Sequence, residues 1–213
     1  MKLKTILIQV LLLTLTICAQ AQNVDGTFTV ATMNVDGLPP KILVATINED
    51  GPQETGTTRM SELIAQKGWD FFSVSEDFNY NSSLLTYLGD YSYGTFRGKI
   101  NVSNMMGMTK FNTDGLNLFW KTAKCSMANE SIVRWDESHG NLSDGADENN
   151  DKGYRYYTVT FNQPINGHTV VLDVYILHMD AETGEADNAA RASQLTQLAN
   201  AILRTNNARP VIV

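Results

Sequence analysis

The chain is poor in cysteine, proline and cationic side chains, and each shortage argues against a class of protein. Its 213 residues include two cysteines and five prolines, too few for a disulfide-stapled miniprotein or a proline-rich fibrous or disordered chain. Sixteen Lys and Arg against 23 Asp and Glu give a net charge of −7, which disfavours nucleic-acid binding through a general basic surface. Cleavage of a phosphate ester stays open, because a bound metal ion can supply local positive charge.

Long apolar runs are also lacking, except for one at the N-terminus. Two lysines precede the apolar segment 5–17, and the small-x-small pattern Ala19-Gln20-Ala21 follows it. These three parts predict a secretory signal peptide over residues 1–21 and an exported mature chain, 22–213, forming one domain. The run is shorter than the roughly 20 residues of a membrane-spanning helix. Cys18 leaves open a lipoprotein anchored through its thiol, and a buried N-terminal helix is the structural alternative.

The apolar pattern alternates between strand-like and helix-like segments, which predicts an α/β layered domain. Strands are predicted at 27–34, 69–75, 115–121, 154–161, 168–177 and 209–213, and helices at 57–67, 79–88 and 186–203. The Asn166-Gly167 step predicts a hairpin turn. We expect the last helix to bury one apolar stripe, which comprises Ala189, Ala192, Leu195, Leu198, Ala199 and Ile202.

One segment, 129–152, is polar and acidic throughout. The spacing of Asp147, Asn149 and Asp151 suggests a calcium-binding loop. That interpretation is weakened because the glycine comes one place late and position twelve is Thr158 rather than glutamate. We therefore expect a solvated surface loop.

Polar side chains follow four of the predicted strands directly, where α/β proteins place their sites. These clusters are Asn34-Val35-Asp36, Glu76-Asp77, Gly115-Leu116-Asn117 and His178-Met179-Asp180. Each has an ordinary structural interpretation when taken alone. Asn34 and Asp36 suit a turn, Glu76 suits the start of a helix, and His178 suits a cap or a core position.

Taken together and in this order, the clusters resemble the endonuclease/exonuclease/phosphatase superfamily, the DNase I-like metal-dependent phosphoesterases. The resemblance runs from Phe28 to Val213 through TMNVDGLP, DFFSVSED, GLNLFWK, DVYILHMDA and ARPVIV. The glutamine that usually precedes the glutamate is Ser75 here. The resemblance implies a four-layer α/β/β/α sandwich, in which two central, mostly antiparallel sheets are flanked by helices.

The resemblance also implies that this sandwich is incomplete at its C-terminus. The chain stops at the apolar residues Val211-Ile212-Val213, inside a predicted strand, where chains rarely end. The family's Gly-Asp-x-Asn and Asp-His motifs would follow that point. We therefore expect a longer parent protein and an inactive 213-residue chain.

The metal site implied by the resemblance uses oxygen ligands. Glu76 matches the family's magnesium ligand, and Asn34 matches the asparagine that helps to hold the metal and the scissile phosphate. Asp36 is a further candidate ligand. Oxygen donors suit Mg²⁺, with Mn²⁺ or Ca²⁺ as alternatives.

The catalytic set implied by the resemblance is Asn34, His178 and Asp180. His178 matches the histidine that contacts the phosphate and balances its charge in the transition state. A histidine that titrates near neutrality can donate or accept a proton. Asn117 is expected to contact the substrate.

Different segments of the chain resemble different branches of the superfamily. NVDGL resembles the apurinic endonucleases, whereas LHMDA and the Gly-Leu-Pro step resemble secreted sphingomyelinase-like phospholipases. The favoured function is therefore an exported, metal-dependent phosphoric ester hydrolase acting on a phospholipid head group, with transient membrane contact and no protein partner. One alternative is an extracellular nuclease using Lys99, Lys110, Lys121 and Lys124. Another is a non-catalytic binding module.

Overall fold

A computed structural model describes residues 26–42, 45–100, 113–141, 147–205 and 208–213. The predicted signal peptide and Lys110 lie outside these ranges. The strands described are β1 (Val30–Asn34), β2 (Lys41–Ile42), β3 (Ala45–Thr46), β4 (Phe71–Ser75), β5 (Tyr91–Tyr93), β6 (Asn117–Lys121), β7 (Cys125–Arg134), β8 (Gly153–Phe161), β9 (Val171–Leu177) and β10 (Val211–Ile212). The α-helices are α1 (Gln53–Lys67), α2 (Asn81–Leu84) and α3 (Glu185–Thr205), and a 3₁₀ turn spans Asp147–Asn149.

The described strands form two four-stranded sheets and a small β2–β3 hairpin. The first sheet has the order β1-β4-β6-β5, and only its β1–β4 pair is parallel. The second sheet has the order β10-β9-β8-β7, and only its β10–β9 pair is parallel. Each sheet is therefore mostly antiparallel, as predicted.

Side chains that alternate along the strands build three apolar layers. The inner faces of the two sheets meet in one core, which includes Phe71, Leu118, Val159, Leu172 and Val174. The outer face of the first sheet packs against α1 and α2 around Phe72, Ile64 and Leu84. The outer face of the second sheet packs against α3 around Tyr175, Leu198 and Ala201. The predicted four-layer arrangement of helix, sheet, sheet and helix is confirmed.

Local hydrogen bonds decide where several elements begin and end. β1 begins at Val30 rather than Thr27, because the Thr29 amide bonds the Asp70 carboxylate instead of a neighbouring strand, at 2.8 Å. Gly68 ends α1 in the left-handed conformation, as predicted. Asn166 and Gly167 both have positive φ values, 49° and 80°, as a two-residue hairpin turn requires.

The predicted buried stripe of α3 is wrong. The residues that α3 buries are Asp187, Ala190, Gln194, Leu198 and Ala201. Only Leu198 belongs to the predicted stripe as a buried residue, and Leu195 is 53% exposed. The apolar pattern missed this face because two of its five residues are polar and are buried through hydrogen bonds.

The prediction of a solvated loop over 129–152 is wrong for residues 129–134 and for two of its acidic side chains, although residues 136–139 do form an exposed or half-buried loop. Residues 129–134 belong to β7, which pairs with β8. Asp147 and Asp151 are buried and paired with basic side chains, Lys152 and two arginines respectively. Because the two carboxylates hold separate cationic partners, they do not form the calcium loop either. None of the helices in the described part of the chain is long and apolar enough to cross a bilayer.

Candidate active site

Three of the predicted site residues meet at one edge of the sandwich. Asn34 ends β1, Glu76 follows β4, and His178 follows β9, so the first sheet supplies two of them and the second sheet supplies the third. Asn34 Nδ2 donates to Glu76 Oε1 at 2.7 Å. His178 Nε2 lies 3.8 Å from the same carboxylate oxygen. The parallel pairing of β1 with β4 brings Asn34 beside Ser75, which explains the first contact.

Two glycines allow the neighbouring backbone to pack closely against Glu76. Glu76 has a φ of 59°, and its carbonyl oxygen accepts from the Gly37 amide at 3.0 Å. A Cβ on Gly37 would lie 2.4 Å from that oxygen. A Cβ on Gly115 would lie 3.0 Å from the Glu76 Cα and 2.5 Å from the Phe78 ring. Glycine at both positions therefore permits the approach that sets the Glu76 carboxylate beside Asn34.

Asp36 lies beside the Asn34–Glu76 pair and orients it. The Asp36 amide donates to Asn34 Oδ1 at 2.8 Å, which turns the Asn34 Nδ2 toward Glu76. The Asp36 carboxylate in turn accepts from Asn48 Nδ2 at 2.6 Å. Sequence reasoning gave no sign of Asn48, because it comes from the separate segment that precedes α1.

His178 is held by its backbone and lies in a largely buried setting. Its amide donates to the Gly153 carbonyl at 3.0 Å, and its carbonyl accepts from Trp135 Nε1 at 2.7 Å. Its Nδ1 is buried, with no hydrogen-bond partner among the residues that the structure describes. Burial and the nearby charge of Lys152 lower the pKa of His178 to about 3. The imidazole is therefore neutral at physiological pH.

Lys152 is a buried cation next to this histidine, and sequence analysis missed it. Its Nζ donates to the Met179 carbonyl at 3.3 Å and forms an ion pair with Asp147. Asp147 Oδ2 also accepts from the Ala181 amide at 2.7 Å. The pair therefore ties the segment before β8 to the segment that follows His178.

Two predicted site residues lie in the interior instead. Asp180 is 4% exposed, and its two oxygens accept from Gln194 Nε2 at 2.7 Å and from the His139 amide at 2.6 Å. Asn117 is fully buried, and its Nδ2 points to Asp77 Oδ2 at 3.4 Å. The hydrogen bonds described for these two side chains are to residues other than Glu76, so the catalytic role of Asp180 and the substrate contact of Asn117 stay predictions.

Asp77 lies directly behind Glu76. Its carboxyl group is 3% exposed and accepts from Asn81 Nδ2 at 2.7 Å. Its amide donates to the Gly115 carbonyl at 2.8 Å, which joins the ends of β4 and β6. Burial raises the pKa of Asp77 to about 6 despite the two amide donors from Asn81 and Asn117.

Of the lysines proposed for a nuclease that the structure describes, Lys121 and Lys124 lie away from this edge. Lys99, by contrast, precedes Ile100, whose backbone bonds Asn79 near Glu76. Lys121 ends β6, which runs antiparallel to β4, so it lies at the opposite end of the sheet from Glu76. Its Nζ donates to the Gly68 carbonyl at 2.8 Å. Lys124 follows in the next turn, and its amide donates to the Lys121 carbonyl. Lys99 lies in the loop between β5 and β6.

The oxygen donors at the site fit a hard divalent cation. Glu76 offers a carboxylate and Asn34 an amide group whose oxygen here accepts from the Asp36 amide, while the Asp36 carboxylate accepts from Asn48. Magnesium is usually bound by one or two carboxylates, with water and substrate oxygens completing the shell. No group of three His, Cys, Asp or Glu side chains suited to a metal occurs within the described ranges. A cation here would therefore rely on few protein ligands, as magnesium does.

Comparison with known proteins identifies the fold. No protein-family model and no curated protein matches the chain. Among solved structures, an endonuclease/exonuclease/phosphatase from Bacteroides vulgatus is 16% identical, with a TM-score of 0.55, over 88% of this chain and 64% of that one. Sphingomyelinase C from Streptomyces griseocarneus is 17% identical, with a TM-score of 0.56, over 88% and 63%.

TDP2 from D. rerio, in complex with a single-stranded DNA product, is 14% identical, with a TM-score of 0.58, over 88% of this chain and 59% of that one. The chain thus spans about three fifths of the length of these structures. The protein has the DNase I-like fold of the endonuclease/exonuclease/phosphatase superfamily, which confirms the fold expected from the sequence.

Proposed function

We propose that the protein is an exported, Mg²⁺-dependent phosphodiesterase whose reaction centre comprises Asn34, Glu76 and His178. The observation that carries this proposal is the convergence of three side chains from two sheets. One oxygen of Glu76 lies 2.7 Å from the Asn34 amide nitrogen and 3.8 Å from the His178 imidazole nitrogen. The fold supports the reaction class, because structures that share it include a sphingomyelinase C and a mannosyl-6-phosphatase.

The proposal gives each residue of the reaction centre a distinct chemical role. Glu76 would hold the cation, and Asn34 would add its amide oxygen by turning over the amide group, whose nitrogen now faces Glu76. When bound, the cation neutralises phosphoryl charge and polarises the reacting phosphate. In the present geometry, Asp36 fixes the Asn34 amide through its backbone N–H, at 2.8 Å. The pKa of His178, about 3, is far below the near-neutral value expected from the sequence, so its neutral ring is suited to hydrogen-bonding the phosphate rather than to accepting a proton.

The substrate favoured by the sequence is a phospholipid head group, as for a sphingomyelinase or phospholipase C. The resemblance of LHMDA and Gly-Leu-Pro to secreted sphingomyelinase-like enzymes supports this choice. An extracellular nuclease is the second candidate. It is favoured by two arginines, Arg97 and Arg134, which pair with one buried carboxylate near the same edge.

The test measures two activities of the native protein, expressed from its natural gene. These are phosphocholine release from sphingomyelin vesicles and nicking of plasmid DNA, each with Mg²⁺ and with excess EDTA. We expect one activity to require the metal and to fall about 10²–10⁴-fold in H178A and at least as far in E76Q. The matched control is H168A, which alters the histidine of the exposed β8–β9 turn and leaves both rates unchanged.

Full activity of E76Q would place the reaction centre elsewhere. The absence of both activities from the native protein with Mg²⁺ would favour the non-catalytic binding module.

A further inference from the structure

Two arginines, Arg97 and Arg134, lie at the same edge as the proposed reaction centre, and the proposed reaction assigns neither of them a role. Arg97 Nη2 contacts Asp151 Oδ2 at 3.1 Å, and Arg134 Nη2 forms an ion pair with the same oxygen. The Asp151 side chain is fully buried, whereas the Arg134 side chain is 50% exposed and that of Arg97 is 20% exposed. The carboxylate thus anchors two guanidinium groups, one on the half-exposed Arg134 side chain and one on Arg97, whose Nη1 is buried with no hydrogen-bond partner among the described residues.

The register of the second sheet fixes the distance from this pair to His178. Arg134 pairs with Gly153 across β7 and β8, and the Gly153 carbonyl accepts from the His178 amide on the other side, at 3.0 Å. The backbones of Arg134 and His178 are therefore separated by two inter-strand spacings, roughly 10 Å.

Strand alternation places both side chains on the same face of that sheet. Val133, Trp135, Leu177 and Met179 all belong to the cluster that packs against α3. The residues between them in sequence, Arg134 and His178, therefore point to the opposite face, toward the first sheet. His178 meets Glu76 there, and Arg134 meets Arg97, which comes from the loop after β5.

The carboxylates beside the two arginines are buried, whereas half of the Arg134 side chain is exposed. Arg155, which is fully buried, is bonded to Asp114, and Arg97 Nη1 lies 3.9 Å from that carboxylate. The carboxylates of Asp114 and Asp151 are both nearly inaccessible, at 2% and 0% exposure. Buried anions orient both arginines, which leaves the N–H groups of the exposed Arg134 fork, and the buried, unpartnered Nη1 of Arg97, as donors for an added oxyanion.

An inter-sheet tie is the competing interpretation, since Arg97 and Arg134 approach Asp151 from different sheets. The chain offers a matched comparison in Arg209, which is 33% exposed and bonds buried Asp173 at 3.0 Å. Asp173 lies near the start of β9, at the end of the strand opposite His178. A purely structural tie would behave alike at both places, whereas a ligand subsite would respond only at the edge that carries the reaction centre.

We propose that Arg97 and Arg134 form a subsite for a second phosphate group of the substrate, beside the phosphate that reacts at Glu76 and His178. This inference rests on the proposed function and narrows its substrate class. A substrate with two phosphates, such as an oligonucleotide or a phosphorylated lipid head group, would span the two positions. Sphingomyelin, with one phosphate, would leave the subsite unused.

The experiment compares pairs of ligands that differ only by the second phosphate. One pair is a dinucleotide with and without a 5′-phosphate, and the other is short-chain phosphatidylinositol with and without a 4-phosphate. Affinity is measured by calorimetry on the E76Q protein, so that the result does not depend on turnover. We expect the extra phosphate to strengthen binding about tenfold in at least one pair. R134Q should remove that gain, R134K should keep part of it, and R209Q should keep all of it.

The outcomes separate this inference from the proposed function. A gain confined to one pair supports the subsite and identifies the source of the phosphate, nucleotide or lipid. No gain in either pair, or a gain that R134Q retains in a folded protein, overturns the subsite. If the gain depends on Arg134 but the native protein hydrolyses neither ligand in Mg²⁺, the subsite stands and the proposed hydrolase fails. R97Q repeats the test if R134Q unfolds.

Discussion

Burial moves the pKa values of two titratable side chains in opposite directions, one in the proposed reaction centre and one directly behind it. The pKa of Asp77 rises to about 6, and the pKa of His178 falls to about 3, with Lys152 adding to the effect of burial. In both cases the charged form is the one that burial disfavours. The site therefore has a neutral imidazole at neutral pH, while Asp77 ionises only at the cost of folding stability.

Replacing Asp77 with asparagine should stabilise the fold in a pH-dependent way. The folded pKa of about 6 exceeds the ordinary value of 3.8. Stability is therefore lost as the pH rises from 3.8 through 6. D77N keeps an acceptor for Asn81 and Asn117 but cannot ionise. We expect it to raise the free energy of unfolding by about 1–3 kcal/mol at pH 7.5 and by little at pH 4, measured by urea denaturation. An equal gain at both pH values would contradict this account.

Removing the charge of Lys152 should raise the pKa of His178. Lys152 is the second cause of the low value, after burial, so K152M should move the pKa upward without restoring its ordinary value of 6.5. The measurement is an NMR titration of the His178 ring protons. K124M, which removes an exposed lysine from the turn between β6 and β7, is the control and should leave the titration unchanged. An unmoved midpoint in folded K152M would show that burial alone lowers the pKa.

At this scale the sequence predicted the residues that stand at strand ends and missed those that arrive from elsewhere. Asn34, Glu76 and His178 were marked by apolar runs that stop at polar side chains, and the structure brings all three together. Lys152 does not follow an apolar run in this way, and the contacts of Lys152 and Asn48 depend on how separate segments of the chain pack together.

The elements around Glu76 depend on close backbone approach, which gives the two glycines a testable role. Gly115 has a φ of 63°, and a Cβ there would meet the Phe78 ring at 2.5 Å and the Glu76 Cα at 3.0 Å. We expect G115A to destabilise the fold by about 1–3 kcal/mol and to displace Glu76, weakening Mn²⁺ binding measured by calorimetry. G167A is the control, because Gly167 also has a positive φ but open space around it.

G167A should cost about 1 kcal/mol through backbone strain and leave Mn²⁺ affinity unchanged. If both variants lose the same affinity, strain alone explains the effect and the close approach to Glu76 has no special role. If G115A binds Mn²⁺ like the wild-type protein, Gly115 does not set the position of Glu76.

Helix α3 and strand β7 show why the pattern of apolar residues mispredicts some elements. The buried face of α3 includes Gln194 and Asp187, which are satisfied by hydrogen bonds rather than by apolar contact. β7 is an edge strand whose described pairing is with β8, and most of its residues are exposed, so it shows little apolar alternation. Both elements are stabilised by partners that only the folded chain brings together.

For the whole molecule, the alternation of strands and helices in the sequence predicted the four-layer order. It did not predict the buried ion pair that joins the two sheets. Arg155, on β8, is fully buried and makes two bonds to Asp114, which precedes β6, at 2.9 and 2.6 Å. Its Nη1 also donates to the Thr95 carbonyl at 2.6 Å and to Glu130 at 3.0 Å. In the sequence this residue is one charge within an aromatic strand, and its partners lie 25 to 60 positions away.

Replacing only Arg155 of this ion pair should lower the free energy of unfolding more than replacing both Arg155 and Asp114. R155M removes both hydrogen bonds from Arg155 to the buried Asp114 carboxylate and leaves it only Arg97, 3.9 Å away. We therefore expect the free energy of unfolding to fall by about 3–5 kcal/mol. The double variant R155M/D114N removes the stranded charge and should recover part of that loss. A double-mutant cycle in urea measures the coupling, and R59A, which breaks the exposed Arg59–Glu62 pair, should change stability by less than about 1 kcal/mol. Additive effects of R155M and D114N would mean that the two sheets are joined by their apolar core alone, with Arg155 contributing only as a packed side chain.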